Sequence, residues 1–574
     1  MLVHISLSFQ QPAATIMHES FTSTLLSTVL HNPFVSLGIV IVGVLFTHIL
    51  LPYLLDPYSL RRLSIPGPPA AALSDLWLGY HSANGHRSEV VHALHEKYGR
   101  IVRIAPNHVS IASPDALQTI YAHGNGALKS NFYDAFVSIQ RGLFNTRDRA
   151  EHSRKRKLVS HIFSQKSVLE FEPYIRVYVK ELSEQWSRLY ELALKGERGD
   201  EGQGEGGGWY GRDGRLWMDV LPWCNYLAFD IIGDLAFGAP FGMIKSCKDT
   251  AQIPASGPSA DLTDSKSQVQ VKEIPAVKIL NGRGEYSMSM GVLPPAYRPI
   301  AKKLPWFAAG AADVKALAGI AIMAVRKRLA AQDAGTLSVR KTDLLEKLQR
   351  GKDEDGKYMG KEELTAEALT LLIAGSDTTS NSTCAILYYL ARTPSTQARL
   401  HAELDKAVPD IESLPLTVDD VKADKLPYLD ACINEGLRIH STSALGLPRL
   451  VPKGGMTVEG VTFPEGTVLS VPSYTIHRDT EVWGDDTEDF RPERWLGLDG
   501  DRKELINKTF NPFSVGPRAC VGRNLAFLEL QVIVGSLVRS WEFVLEHGLE
   551  QELHTSEGFL RKPLGCRVGI RRRD

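Results

Sequence analysis

The stretch FSVGPRACVG, residues 513–522, contains one of only six cysteines in a chain of 574 residues. An arginine lies two positions before Cys520, a glycine lies two positions after it, and an apolar helical pattern follows directly. Unpaired N–H groups and the dipole at a helix start stabilise a thiolate. An isolated cysteine is more often a buried core residue. The stretch therefore leaves two interpretations, a reactive thiolate and a structural thiol.

The residues around Cys520 favour a site that binds a large flat group. Gly516 and Gly522 allow the backbone to approach such a group closely, and Arg518 is suited to bind a carboxylate through two hydrogen bonds. A haem that is held through its iron by a thiolate, and through a propionate by an arginine, needs this set of residues.

Composition excludes several other classes of protein. A formal net charge of -1 argues against nucleic acid as the main partner. The cysteines are scattered without a CxxC pair, which is atypical of a disulfide framework or a structural zinc site and fits a reducing compartment. No glycine-rich dinucleotide fingerprint follows a strand pattern, so a Rossmann domain for NAD or FAD is not expected. The hydrophobic fraction of 43% is enough for a large core.

An apolar run near the N-terminus predicts a membrane anchor. Residues 34–55 are almost wholly apolar and long enough to cross a bilayer. Arg61 and Arg62 follow the run, while the segment before it has Glu19 and no lysine or arginine, so the positive-inside rule places the bulk of the chain in the cytosol. A cleaved signal peptide is the alternative. Such a peptide has a basic start, a short apolar core and a cleavage site with small residues, and this segment matches all three features poorly.

Four segments are expected along the chain: a lumenal segment at 1–33, the anchor at 34–55, a hinge at 56–70 and a catalytic domain at 71–574. The hinge contains IPGPP, whose prolines cannot continue a helix.

Periodicity predicts a mainly helical catalytic domain with short strands. Helices are expected at 88–99, at 223–238 and at 364–390, and strands joined by a turn at 100–113. Glycine-rich and polar composition predicts that 195–214 is a solvated loop and that 246–268 is a turn-rich insertion.

The spacing around Cys520 matches a known signature. F-x-x-G-x-R-x-C-x-G is met at Phe513, Gly516, Arg518, Cys520 and Gly522, and over nearly its whole length the chain resembles the cytochrome P450 superfamily. The resemblance implies a helix-rich fold with small β-sheets, and haem b with Cys520 as the axial iron ligand.

A second motif lies in the long predicted helix at AGSDTTS, residues 374–380. A serine or threonine that turns away from its helix can open a local bulge. By resemblance, Ala374 leaves room for O2 on the distal face of the haem, and Asp377 and Thr378 form an acid–alcohol pair that relays protons.

A third motif is EGLR, residues 435–438. The resemblance implies that Glu435 and Arg438 are buried and joined by Arg494 in a structural triad. Gly436 replaces the threonine that is common in this family, and it is unfavourable in a helix interior.

The basic run EHSRKRK, residues 151–157, is expected on the haem-edge helix. The resemblance implies that His152, in place of the commoner tryptophan, and Arg156 contact a propionate, and Arg449 is a further candidate for this contact. The other cations in the run are expected to steer an acidic electron donor: Arg154, Lys155 and Lys157.

Longer segments are similar to the fungal benzoate 4-monooxygenases: RIAPNHVSIASPDALQ, KSNFYDAFVSIQRGLFNTRDRAEHSRKRK and LRIHSTSALGLPR. This resemblance implies para-hydroxylation of benzoate or a related small aromatic acid. A tailoring enzyme for a larger aromatic polyketide or a terpenoid is the alternative. A haem-thiolate isomerase and a non-catalytic ligand carrier are alternatives from other classes. The candidate pocket residues are Phe132, Tyr133, Phe136, Ala374, Ser443 and Leu445.

Because no flavin domain is recognisable, electrons are expected from a separate NADPH-cytochrome P450 reductase, with cytochrome b5 as a second candidate donor. The predicted location is the endoplasmic reticulum membrane, with one span and the catalytic domain in the cytosol. The glycosylation sequons at Asn381 and Asn507 are discounted, because that topology places both in the cytosol.

Overall fold

A computed structural model describes residues 32–199, 208–255, 270–335, 343–353 and 355–573. The predicted fold class is confirmed, since helices dominate these residues and the strands form small sheets.

The N-terminal apolar run forms one helix that packs into no core. Its parts are α1 (Pro33–Leu45), a π-helical turn (Phe46–Leu50) and α2 (Leu51–Leu55), and none of their residues is buried. The Asn32 side chain accepts hydrogen bonds from the first backbone N–H groups of α1 and so fixes its start. Among the described residues, 220–237 and 305–333 are also long and apolar enough to span a membrane, but 89% and 44% of their most apolar windows are buried inside the protein. The N-terminal helix is therefore the one suited to anchor the chain.

The remaining helices, in chain order, are α3 (Pro69–Leu73), α4 (Leu76–Ala83), α5 (Arg87–Tyr98), α6 (Pro114–Tyr121), α7 (Arg149–Ser160), α8 (Gln165–Leu169), α9 (Glu172–Leu194), α10 (Val220–Phe237), α11 (Met243–Ser246), α12 (Ala276–Val292), α13 (Arg298–Ala301), α14 (Ala308–Asp333), α15 (Leu344–Arg350), α16 (Lys361–Arg392), α17 (Pro394–Ala407), α18 (Pro427–His440), α19 (Ser473–Ile476), α20 (Thr480–Trp483), α21 (Gly500–Thr509) and α22 (Arg523–Ser540). Short 3-10 turns occupy Asn131–Phe136, Pro305–Phe307, Ile411–Ser413, Pro492–Trp495, Gly516–Arg518 and Gly548–Glu550.

The strands are β1 (Ile101–Ala105), β2 (His108–Ile111), β3 (Leu128–Lys129), β4 (Arg198–Gly199), β5 (Trp209–Arg212), β6 (Arg215–Asp219), β7 (Ala251–Pro254), β8 (Val271–Ile274), β9 (Arg449–Leu450), β10 (Met456–Val458), β11 (Val461–Phe463), β12 (Val468–Ser470), β13 (Trp541–Leu545), β14 (Thr555–Glu557), β15 (Arg561–Pro563) and β16 (Arg567–Arg572). Two sheets have five strands, in the orders β1-β2-β12-β9-β3 and β13-β16-β6-β5-β4. The pairs β7-β8, β10-β11 and β14-β15 form small hairpin-like sheets.

The periodicity-based predictions agree with these bounds. Helix α5 ends at Gly99, whose φ of 90° is accessible to glycine, and α10 ends at the left-handed Gly238. The strands β1 and β2 and the long helix α16 also lie where they were predicted. Helix α3 begins at Pro69, close to the end of the expected hinge at 56–70, because proline is tolerated at the first helical position.

Both predicted insertions are partly ordered, so the expectation of loops alone was wrong. Strands β4 and β5 lie within 195–214 and extend the second five-stranded sheet, and the Trp209 side chain is buried. Strand β7 lies within 246–268 and pairs with β8. Residues 200–207 and 256–268 lie outside the described part of the chain.

Helix α16 runs through the core, and two glycines allow its neighbours to approach it closely. A Cβ atom at Gly375 would lie 2.7 Å from a side-chain carbon of Ile232 in α10. A Cβ atom at Gly436 in α18 would lie 2.4 Å from Cγ1 of Ile386 in α16. The tight crossing of α18 and α16 is the physical reason for a glycine at position 436.

The structural triad is confirmed. Glu435 accepts hydrogen bonds from Nε of Arg438 and of Arg494, at 2.9 and 2.8 Å, in addition to the Nη2 donor of Arg438. The backbone N–H of Arg491 and the indole of Trp495 complete its shell. All three triad side chains are buried, so the ion pairs are shielded from solvent.

Candidate active site

A cavity lies between the middle of α16 and the loop that carries Cys520. Nine of the predicted site residues line it: Phe136, Ala374, Thr378, Ser443, Arg449, Phe513, Arg518, Cys520 and Gly522. Seven others are not among its lining residues: Phe132, Tyr133, His152, Arg156, Asp377, Leu445 and Gly516.

The Cys520 side chain faces this cavity, whereas the other five cysteines are buried. Its backbone N–H donates to the Phe513 carbonyl at 2.8 Å, which closes the loop. Helix α22 begins at Arg523 with Gly522 as its N-cap, so Cys520 lies just before the helix start. Burial raises the pKa of the thiol, and the N–H groups of Gly522 and Arg523 lower it. The interpretation as a core thiol is therefore wrong, and the predicted N–H donors are in place.

The two glycines of the signature differ in their surroundings. Gly516 has a φ of +73°, and a Cβ there would lie 1.9 Å from the carbonyl oxygen of Tyr121 at the end of α6. This glycine therefore fits the loop against α6, which differs from the predicted contact with a flat ligand. Gly522 lines the cavity, and the nearest atom to its Cβ position is the Cys520 sulfur at 4.0 Å. Gly522 keeps the space beside the thiol open.

Three cations line one side of the cavity: Lys129 and Arg449, which are buried, and Arg518, which is half-buried. Arg449 donates to the Tyr133 hydroxyl at 2.8 Å, while its Nη2 has no hydrogen-bond partner among the described residues. Arg518 donates to backbone carbonyls, the nearest being that of Thr146 at 2.6 Å. Burial, followed by the charge of neighbouring cations, lowers the pKa of Lys129 well below its usual value and that of Arg518 to about 10. This group of cations is suited to bind an anion.

His152 and Arg156 of α7 lie behind this cation group. Arg156 donates to the carbonyl of Ala519 at 2.6 Å, directly before Cys520, and so positions the loop. Burial lowers the pKa of His152 to about 3, with Arg518 as the next cause, so the imidazole is neutral at physiological pH. His152 and Arg156 thus adjoin the cation group, and their predicted contact with a propionate stays a prediction.

The basic run of α7 is largely engaged in ion pairs within the protein. Lys155 is only 1% exposed and contacts Glu363 and Glu367 of α16, the latter at 3.4 Å. Arg154 contacts Glu151 at 2.8 Å and also Glu363. Lys155 is therefore too buried to face an electron donor, whereas Arg154 is partly exposed and its predicted role in steering stays a prediction. Lys157 is exposed.

The acid–alcohol motif lies in an unbroken part of α16, so the expected bulge is absent from this described helix. The Thr378 hydroxyl lines the cavity and donates to the Ala374 carbonyl at 2.5 Å. The Asp377 carboxylate accepts from Asn381 Nδ2 at 3.1 Å, and burial raises its pKa. Thr378 therefore reaches the cavity directly, while Asp377 lies beside it.

The sequence reasoning missed a second acid–alcohol pair at the cavity. Thr379 donates to Glu529 Oε2 at 2.9 Å, and both residues line the cavity. Burial raises the pKa of Glu529 to about 7. The available signal was an acid within the otherwise apolar run of α22, flanked by Leu528 and Leu530.

Aromatic rings form another part of the wall, and the Lys129 ammonium lies 4.6 Å from the centre of one of them, Phe144. Phe136, Phe144 and Phe559 all line the cavity and pack edge to face, with ring centroids 5.0–5.8 Å apart. Three of the predicted pocket residues instead belong to the core behind this wall: Phe132, Tyr133 and Leu445. Phe144 and Phe559 were missed because their sequence surroundings do not distinguish them from core residues.

These residues fit a haem. The thiol of Cys520 faces the cavity with two N–H donors beside it, and Gly522 leaves space above the sulfur. The buried Arg449 and the half-buried Arg518 provide a positive edge that suits propionates, and Nη2 of Arg449 has no partner among the described residues. A thiolate ligand and arginines for the propionates are the donor set that a haem-thiolate site requires.

Comparison with known proteins agrees with this geometry. The chain matches the family model for cytochrome P450 over residues 65–570. It is 49% identical over 517 residues to a benzoate 4-monooxygenase of Aspergillus niger, covering 89% of this chain and 92% of the relative. It is 30% identical over 498 residues to a pisatin demethylase of Fusarium vanettenii, covering 85% of each. It is 29% identical over 499 residues to a cytochrome P450 monooxygenase of Hormonema carpetanum, covering 86% of this chain and 88% of the relative.

Proposed function

Because this chain belongs to the cytochrome P450 family and is a haem-iron monooxygenase, we propose that it hydroxylates benzoate, or a related small aromatic acid, at the para position. The observation that carries the proposal is the cavity itself, in which an aromatic wall faces the loop of Cys520. Edge-to-face contacts with phenylalanine rings favour an aromatic substrate. The relative that is 49% identical is a benzoate 4-monooxygenase.

The residues of the loop that carries Cys520 would hold the cofactor. Cys520 would supply the thiolate that binds the haem iron, and the N–H groups of Gly522 and Arg523 lower the pKa of its thiol against the effect of burial. Arg449 and Arg518 would bind the propionates. When bound, the haem supplies the activation of O2 and the transfer of one oxygen atom to the substrate.

Side chains of α16 and α22 handle protons at the distal side. The Thr378 hydroxyl lies at the cavity surface and can donate or accept one proton there. Asp377 and Glu529 have raised pKa values because of burial. An acid with a pKa of about 7, such as Glu529, exchanges protons readily at neutral pH.

The proposal also places the chain at a membrane, with the N-terminal helix as its anchor. Residues 1–33 are lumenal, 34–55 span the endoplasmic reticulum membrane, 56–70 form the hinge and 71–574 form the cytosolic catalytic domain. Electrons come from NADPH through a separate cytochrome P450 reductase, with cytochrome b5 as a second candidate donor.

Titration of the haem-loaded full chain with benzoate tests the substrate. We expect a shift of the haem absorbance towards high spin, followed by formation of 4-hydroxybenzoate when reductase and NADPH are added. Cys520→Ser should abolish the absorbance of the CO adduct that is characteristic of thiolate ligation. Toluene, which lacks the carboxylate, is the matched control ligand.

The absence of a shift at millimolar benzoate, together with a shift from a larger aromatic compound, would contradict the proposed substrate. It would favour a tailoring P450 of the kind found among the more distant relatives. Oxidised product formed without any reductase would instead contradict the proposed electron supply.

A further inference from the structure

A buried arginine lies in the cavity on the side of the aromatic wall. Arg283 projects from α12, is 6% exposed and lines the cavity together with Phe136. Its Nη2 donates to the Phe136 carbonyl at 3.1 Å, and its guanidinium lies 5.3 Å from the centre of the Phe136 ring. Its Nε is buried and has no hydrogen-bond partner among the described residues. Arg283 therefore offers an unused N–H donor within an apolar, aromatic environment.

Arg283 is separate from the cations assigned to the haem propionates. The pKa of Lys129 is lowered by burial and by Arg449 and Arg518, which shows that these three charges lie close together. The pKa of Arg283 is lowered to about 10 by burial, and the only charge that acts on it appreciably among the described residues is that of Asp377. Arg283 is thus a second cationic position in the cavity, and no anionic group of the described residues lies at contact distance from it.

We propose that Arg283 binds the carboxylate of the aromatic acid substrate and thereby selects the para carbon for oxidation. This inference rests on the proposed function and names the residue that recognises the acid. Its Nη1 group has no hydrogen-bond partner among the described residues and is not among the inaccessible polar atoms, so its N–H groups can donate to the carboxylate oxygens. A buried charge without a contact partner is costly, so pairing with an anionic substrate is favourable.

The position of Arg283 also accounts for the site of hydroxylation. The rings of Phe136, Phe144 and Phe559 provide edge-to-face contacts for the substrate ring beside the anchored carboxylate. In benzoate the para carbon is the ring atom farthest from the carboxylate. An acid held at its carboxylate by Arg283 therefore extends this carbon away from α12 and into the cavity, whose other lining residues include Ala374 and Thr378 of α16.

The test compares two ligands of the same shape, benzoate and benzamide, with the haem-loaded full chain. The spectral Kd of benzoate should rise about 10- to 100-fold in Arg283→Gln, the loss expected for hydrogen bonds between charged groups. The Kd of benzamide should change less than about threefold, because the amide has no charge to pair. Arg283→Lys should recover part of the benzoate affinity, since it restores the charge without the planar fork. Binding is measured because Arg283 also influences Asp377 and hence turnover.

Arg298→Gln is the matched control variant. Arg298 is also buried and donates to backbone carbonyls, including that of Leu293 at 2.9 Å, but it does not line the cavity. Its benzoate Kd should equal that of the wild type, and the absorbance of the CO adduct checks that each variant is folded.

Regiochemistry is a second readout, since a residue that only stabilises the fold would not change it. Arg283→Gln should produce a larger share of 2- and 3-hydroxybenzoate than the wild type. Normal benzoate affinity and unchanged regiochemistry in Arg283→Gln would overturn the assignment of Arg283 alone. A wild-type protein with an intact CO adduct that fails to bind benzoate would overturn the proposed function and this inference together.

Discussion

The buried carboxyl of Glu529 should make the stability of this protein depend on pH in a predictable direction. Burial raises its pKa from an ordinary 4.5 to about 7, and the hydrogen bond from Thr379 lowers it only in part. The folded state therefore retains the proton while the unfolded chain loses it, so this group makes the free energy of unfolding fall as pH rises from 4.5 to 7. At 1.36 kcal/mol per pKa unit, the loss amounts to about 3 kcal/mol and is complete above pH 7.

Glu529→Gln removes this titration and keeps an oxygen that accepts from Thr379. We expect the variant and the wild type to be equally stable near pH 4.5, and the variant to be more stable by about 3 kcal/mol at pH 8. Urea unfolding of the haem-loaded full chain in detergent, followed by far-UV circular dichroism at pH 5, 6, 7 and 8, measures the difference. Thr379→Val should raise the pKa of Glu529 further. The free energy of unfolding should then continue to fall to a higher pH than in the wild type.

Glu481→Gln is the control, because that carboxylate is 75% exposed and pairs with Arg100 at the surface. The Glu481→Gln substitution should change the free energy of unfolding only slightly at every pH. A stability difference between Glu529→Gln and the wild type that stays constant from pH 5 to 8, or that is largest at low pH, would refute the reasoning.

Three further perturbations test the packing around the site. Glu435→Gln should lower the free energy of unfolding by about 3–5 kcal/mol, because it leaves two buried guanidinium groups without their carboxylate. A loss as small as that of Glu481→Gln in the same urea assay would contradict the burial of the triad. Gly436→Thr should cost about 1–3 kcal/mol through overpacking against Ile386, and a double variant with Ile386→Ala should be more stable than the sum of the two single losses predicts. Lys155→Gln should reduce stability while the KM for the reductase stays within about twofold of the wild type, and a large rise in that KM would restore a docking role to Lys155.

Local patterns in the sequence were sufficient for the cofactor and for most elements. Phe513, Cys520 and Gly522 lie within ten residues, so their spacing already determines which groups surround the sulfur. The helix ends at Gly99 and Gly238 were also predictable, because a glycine with positive φ stops a helix by its own backbone conformation.

Properties that depend on distant partners were not predictable in this way. Lys155 belongs to a basic run that reads as a solvated face, yet it is buried against carboxylates more than 200 residues away. Gly516 has the same place in the signature whether it contacts a ligand or the backbone of Tyr121, and only the packed structure distinguishes the two.

The sequence by itself therefore determined the helical fold and the apolar helix that could anchor the chain, and it predicted Cys520 as the haem ligand, because each is encoded by neighbouring residues. The tertiary structure decided which charged groups are buried and face the cavity. Arg283 and Glu529 come from helices far apart in the chain. Arg283 has no local pattern that marks it as a site residue, and the acid between Leu528 and Leu530 does not by itself show that Glu529 lines the cavity. Burial and pKa depend on the sum of contacts from many segments, and that sum exists only once the helices have packed.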